Sequence, residues 1–127
     1  MNQTEPNTLP KQERLCGKRG IDRLLAGGKH GNEGALRYIY LNNNGLEYSR
    51  LLISVPKKLF KRAVKRNLLK RRIRESWRRL KHKVRLEEGA DILFMYSTKE
   101  ILDYESIYGI VGRIIEKINA RESRKNS

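Results

Sequence analysis

An α+β sandwich built on a central sheet, in a single domain, is the architecture this sequence predicts. Three observations carry it. The 127 residues leave room for one modest core. Three short runs have strand character: Leu36-Arg37-Tyr38-Ile39-Tyr40-Leu41, the segment from Tyr48 to Val55, and Asp91-Ile92-Leu93-Phe94-Met95-Tyr96. Between the second and third lies a long stretch in which Leu69, Ile73, Trp77, Leu80 and Val84 recur at helical spacing.

The elements follow in order. Residues 1–9 are polar and are expected to be disordered, as is the tail 121–127. The folded domain is therefore expected over residues 10–120. Residues 11–26 read as one or two short helical turns, with Pro10 suited to a first helical position and Ile21, Leu24 and Leu25 forming a small apolar face. Gly27-Gly28 stops that helix, and Gly31-Asn32-Glu33-Gly34 reads as loop. Asn42-Asn43-Asn44-Gly45 is a turn signal, so the first two strands are expected to pair as an antiparallel hairpin. Pro56 ends strand pairing because it has no N–H to donate. A long helix is expected over residues 63–86. The third run is apolar throughout and is expected to be the central strand. Asp103 or the Ser97-Thr98 pair can cap a last helix whose stripe runs from Tyr104 through Ile107, Val111, Ile114 and Ile115 to Ile118.

Charge is the strongest functional signal. Residues 57–85 hold fifteen Lys or Arg and one acid, Glu75, so this block carries +14 of a formal +15. Charge so concentrated calls for a polyanion, and nucleic acid is the first candidate. Apolar residues run through the block, so it belongs to a folded element and presents a rigid surface. Other classes recede. The longest apolar runs are a few residues, far short of the ~20 that span a bilayer. The first six residues lack a basic and an apolar region, so no secretory leader is expected. Cys16 is the only cysteine, which excludes an intrachain disulfide, and His30 and His82 lie far apart, which argues against a zinc site. A reduced cytoplasmic setting is the expectation.

At about 100° per residue, Asn67, Lys70, Arg71, Arg74 and Arg78 share one sector of the long helix, beside the apolar stripe. Guanidinium forks hold two phosphate oxygens at once, lysine supplies a mobile charge, and asparagine both donates and accepts. The bland alternative is a solvated face, but ordinary exposed faces mix the two signs. Arg66 falls near the apolar stripe, where a structural role is the alternative to RNA contact.

The segment Ser54-Val55-Pro56-Lys57-Lys58, then Ala63-Val64-Lys65-Arg66-Asn67-Leu68-Leu69-Lys70-Arg71-Arg72-Ile73-Arg74, resembles the signature of the bacterial ribonuclease P protein component. That family shows S-V-x-K-K at a strand end, a short loop, and A-V-x-R-N-x-x-K-R-x-x-R on a helix. The likeness extends more loosely over residues 15–118. This chain departs from the pattern in three ways. Leu68 stands where the family usually has a second arginine, and the loop before Ala63 is one residue longer, with Phe60-Lys61-Arg62. Ile21 and Leu25 replace phenylalanines common on the first helix.

The resemblance implies an α-β-β-β-α-β-α order with a left-handed βαβ crossover. It implies a protein subunit that binds a catalytic RNA, in a holoenzyme that removes the 5′ leader of precursor tRNA to give the mature 5′ end. The chemistry of this endonuclease would belong to the RNA and its bound Mg²⁺, with no protein catalytic residue, no protein metal site and no obligate protein partner. On that basis Lys57, Lys58, Lys61, Arg62, Arg66, Asn67, Lys70, Arg71, Arg74 and Arg78 are the expected RNA contacts. The leader cleft is expected between Ile21 and Leu25 on the first helix and Tyr38 and Tyr40 on the first strand. Both tyrosines can share a face, and rings on a sheet serve as stacking platforms; core packing is the alternative for both.

A structural or ribosomal RNA-binding protein is the competing class, and the helix motif favours the first. A helix-turn-helix regulator needs two short adjacent helices, which the long basic helix does not provide. No acidic cluster or nucleophile–base pair suggests a protein nuclease: Asp91, Asp103 and Glu105 are separated by predicted strand and loop.

Overall fold

In the computed structural model, residues 10–86 and 88–125 are described. A 3-10 turn at Lys11–Glu13 leads to α1 (Lys18–Gly27), then β1 (Lys29–Glu33), β2 (Leu36–Asn42) and β3 (Arg50–Ser54). The basic helix α2 (Ala63–Leu80) follows, then β4 (Ala90–Tyr96) and α3 (Tyr104–Lys125). The order is α-β-β-β-α-β-α, as the resemblance implied. The expected disordered segment 1–9 lies outside the described residues.

The sheet order is β1-β2-β4-β3. β4 is central, as its apolar sequence predicts: it pairs antiparallel with β2 (Leu36↔Tyr96 to Asn42↔Ala90) and parallel with β3 (Arg50↔Asp91 to Ser54↔Met95). The expected hairpin between β2 and the segment 48–55 is therefore not formed, because β4 lies between them. The turn signal still bends the chain, with Asn43 at φ 61° and Gly45 at φ 81°. The bend opens into a loop tied to β4. Asn44 donates to Asp91 Oδ1 at 3.0 Å and accepts the Leu46 N–H at 2.8 Å.

The hairpin partner of β2 is instead β1, the segment read as loop. Gly34, at φ 56°, makes the tight connection. Lys-His-Gly-Asn-Glu has little strand propensity of its own. It is held from outside: Lys117 donates to the Asn32 carbonyl at 2.9 Å, and Arg121 to that of His30 at 3.3 Å.

Strand alternation divides the side chains between two layers. Leu36, Tyr38, Tyr40, Ile92, Phe94 and Tyr96 face α2 and α3 and form the main core with Leu69, Ile73, Trp77, Ile107, Ile114 and Ile118. Ile39 and Leu93 face the other way and pack with Leu15 and Leu24. One sheet face is thus sealed by two long helices, and the other is covered by the ten-residue α1.

Two boundaries differ from expectation. The basic helix ends at Leu80 in a 3-10 turn, Lys81–Lys83, rather than running to residue 86. The last helix continues to Lys125, so the expected disordered tail is helical over residues 121–125. Glu122 explains the extension. It is 7 % exposed, and its carboxylate pairs with Lys29 and accepts the Tyr40 hydroxyl at 2.7 Å and the Asn42 amide at 3.2 Å. Among the described residues, no helix is long and apolar enough to cross a membrane.

Candidate nucleic-acid interface

Burial fixes the rotation of α2. Leu69, Ile73, Trp77 and Leu80 are fully buried, with the Trp77 ring edge-on to Phe94 at 5.9 Å. The adjoining flank therefore presents Asn67, Lys70, Arg71, Arg74 and Arg78 outward, as the periodicity predicts. They are not equivalent. Asn67 and Arg71 are exposed and Lys70 and Arg74 half-buried. Among the described residues, neither Lys70 nor Arg71 has an anionic partner. Arg78 has one: its guanidinium grips Glu75 with both prongs, at 3.0 and 2.8 Å, and Arg79 shares that carboxylate at 2.9 Å. The Arg78 bond holds the Glu75 carboxyl below the usual range against the opposing effect of burial, and Arg79 adds to it. The single acid of the basic block thus offsets charge at the far end of the row. Arg72 faces elsewhere and donates to the Leu102 carbonyl, joining α2 to the approach to α3.

The loop 55–62 sorts its residues by chemistry. A turn in which Leu59 N–H bonds the Pro56 carbonyl at 3.1 Å sends Phe60 inward, 7 % exposed, with its ring 5.9 Å from that of Tyr96. Lys57, Lys58, Lys61 and Arg62 all point to solvent without an anionic partner among the described residues. The longer loop thus has a core anchor at Phe60 and cations around it. Arg62 immediately precedes α2, so these charges gather where the first helical N–H groups already favour anions. Arg66 is half-buried, and Nη1 donates to the Phe60 carbonyl at 2.7 Å and the Lys61 carbonyl at 2.9 Å.

The four residues expected to form a leader cleft are not brought together. Tyr38 and Tyr40 do share a face, but it is the sealed one, where they are 5 % and 0 % exposed. The Tyr38 ring passes over β1 so closely that a Cβ at Gly31 would lie 2.2 Å from it. Burial, and then the bond to Glu122, push the Tyr40 phenol far above its ordinary range. Ile21 and Leu25 lie on the opposite side of the sheet, Leu25 being 50 % exposed. On that side lies a depression of about 420 Å³ lined by the apolar Ile39, Leu93 and Met95 and by His30, Gly31, Asn32, Arg37 and Tyr38. Apart from Tyr38, these are the residues the sequence reading missed. The available signal was Arg37 itself. An arginine at an odd position of β2 does not belong in a sealed core, so the odd positions belong to the open face.

Among the described residues, no carboxylates converge in a catalytic geometry. Asp91 is gripped by Arg50 at 2.9 and 2.8 Å, and Asp103 caps α3 by accepting the Ser106 N–H at 2.9 Å. His30 and His82 are exposed on separate elements. Among the described residues, no three His, Cys, Asp or Glu side chains gather as metal ligands.

Comparison with known proteins agrees with this geometry. The family model described as Ribonuclease P matches residues 9–119. A ribonuclease P protein component from Porphyromonas gingivalis is 38% identical over 113 residues, covering 82% of each chain. One from Petrotoga mobilis is 32% identical over 122 residues, 91% of this chain and 99% of the relative. The solved RNase P protein of Thermotoga maritima superposes with a TM-score of 0.72 at 30% identity, covering 84% of this chain and 97% of that one. Matched by the family model over residues 9–119 and aligned with these relatives over most of its length, the chain belongs to the ribonuclease P protein family.

Proposed function

We propose that this chain serves in the cytoplasm as the protein subunit of a ribonuclease P that removes the 5′ leader of precursor tRNA. The carrying observation is the contrast between the rigid seat of α2 and its cations without anionic partners, Lys70 and Arg71, continued by the loop cations Lys57, Lys58, Lys61 and Arg62. Such a surface binds a folded RNA, and each phosphate it neutralises releases counterions. The partner is the catalytic RNA of the holoenzyme. Two RNAs repel, and a cationic protein between them lowers that repulsion.

The leader is assigned to the α1 side of the sheet, over Ile39, Leu93 and Met95, with Arg37 at the rim for a phosphate. Ile21 packs on that side, Tyr38 reaches only the margin of the depression, and the Tyr40 ring lies in the main core. Mg²⁺ is assigned to the RNA and supplies the hydrolytic chemistry there. Among the described residues the carboxylates do not gather as metal ligands, and the buried Asp91 and Glu122 are engaged by Arg50 and Lys29. The side chains therefore bind and orient RNA, and none is assigned to bond cleavage.

The test is cleavage of labelled precursor tRNA at low Mg²⁺ by the protein, by a bacterial ribonuclease P RNA, and by both. Cleavage at the mature 5′ end that requires both components supports the proposal. An active RNA that ignores the protein would move a structural RNA-binding role to first place. Cleavage by RNA-free protein would reveal a protein active site.

A further inference from the structure

Arg66 belongs to the Arg-Asn motif and would ordinarily be counted among the RNA contacts. Its geometry differs from that of its neighbours. One nitrogen, Nη1, donates to two successive carbonyls, those of Phe60 and Lys61. Two carbonyls converging on one donor fix two successive peptide planes. They therefore fix the direction in which the Lys61 side chain, between them, leaves the backbone. Phe60 is anchored in the core on one side of this point, and Arg62, the residue preceding α2, lies on the other. Lys61 and Arg62 are both exposed and lack an anionic partner among the described residues. A loop carrying several like charges tends to splay, and a guanidinium bound to its carbonyls opposes that without neutralising any of them.

We infer that Arg66 is a positioning residue: it holds the loop so that Lys61 and Arg62 meet RNA phosphates, and it acts on binding through them. The inference rests on the RNA-binding role proposed above and assigns one motif residue a different part in it.

A double-mutant cycle tests this. Affinity for a bacterial ribonuclease P RNA transcript is measured over a salt series for wild type, Arg66→Ala, Lys61→Ala/Arg62→Ala and the triple variant. Arg66→Ala is expected to weaken binding about fivefold or more in the wild-type background and less than about twofold once Lys61 and Arg62 are gone. Its salt slope should fall only in the background that retains the two loop cations. Equal factors in both backgrounds, each with a slope lower by about one, would make Arg66 a direct phosphate contact and overturn the inference. So would an Arg66→Ala protein that binds as wild type.

Should Arg66→Ala fail to fold, phenylglyoxal modification of the wild-type protein decides. Arg66 should react slowly in free protein, whereas Arg62 should react readily and become protected only when RNA is bound. Arg66 reacting as fast as Arg62 in free protein would overturn the inference. Wild-type protein that does not bind the transcript would sink the proposed function instead, and the modification rates of the free protein would still decide how Arg66 is held.

Discussion

α2 and α3 lie side by side on the same face of the sheet, and each carries a row of cations along one flank. The rows differ in how far the fold answers them. On α3, Arg113 and Lys117 share Glu33 at 2.8 and 2.6 Å, Lys117 also takes the Asn32 carbonyl, and Arg121 takes the carbonyl of His30. The Lys117 bond, followed by that from Arg113, holds the Glu33 carboxyl below its ordinary range. This row fastens an edge strand that would otherwise show open carbonyls to solvent. On α2, Lys70 and Arg71 have no anionic partner among the described residues. α2 carries eight Lys or Arg against one acid, and α3 five against three, so part of the difference is plain charge. What marks a binding face is positive charge that the fold itself leaves unanswered.

The largest expected effect tests that distinction. Replacing Lys70 and Arg71 by alanine should weaken binding to ribonuclease P RNA about tenfold or more, with the salt slope falling by roughly two units. Stability should hold or rise slightly, because like charges are removed from one helix. Unchanged affinity across the salt series would mean the RNA meets another surface.

Next comes Glu122→Ala, which removes the carboxylate that accepts from Lys29, the Tyr40 hydroxyl and the Asn42 amide and should destabilise the fold by about 2 kcal/mol. Denaturant unfolding measures this. Burial raises the Glu122 carboxyl, but the Lys29 and Tyr40 hydrogen bonds outweigh it, and the net direction is downward. A depressed carboxyl stabilises the fold fully above its unfolded value and loses that contribution as pH falls through the folded value. The gap between wild type and Glu122→Ala should therefore be widest near neutral pH and narrow as pH falls below the ordinary glutamate value of about 4.3. A gap that stays constant throughout the acid limb would show that the carboxylate charge is not what matters.

A smaller effect is expected from inorganic sulfate, which should raise the melting temperature of wild type more than that of the Lys70→Ala/Arg71→Ala protein. Anions that favour the folded state stabilise it by mass action. Equal shifts would place the anion site off this flank.

The smallest effect belongs to Arg113→Ala/Lys117→Ala. These side chains are about half exposed, so solvent screens their pairing with Glu33 and stability should change little, with no change in the salt slope for RNA. A changed slope would erase the contrast between the two helices.

The parts legible in the sequence are those that local periodicity controls. The α2 stripe fixes which cations face outward, and the α3 stripe and β4 follow from their apolar runs. β1 was not legible because its stability comes from side chains more than eighty residues away, such as Lys117 on Asn32. The false hairpin came from trusting a turn signal that carries no knowledge of distant strands. A central β4 needs two neighbours, which was itself a reason to separate β2 from β3. For Tyr38 and Tyr40, alternation correctly put both rings on one face, but it cannot say which face is sealed. Glu122 was hidden in a polar tail whose composition looks disordered and whose one buried carboxylate does the anchoring.

The sheet order β1-β2-β4-β3 also sets a timetable for synthesis. The strand that joins the two halves of the sheet begins at Ala90, after both its neighbours and the whole of α2 have been made. Until it arrives, β2 and β3 have no shared partner, and Trp77 lacks Phe94, the ring that helps seat α2. A nascent or truncated chain ending before β4 thus carries twenty-three of the twenty-nine Lys and Arg residues, the basic block among them, without the frame that aims them. The cationic face becomes a shaped surface only when the last strand and helix close the core.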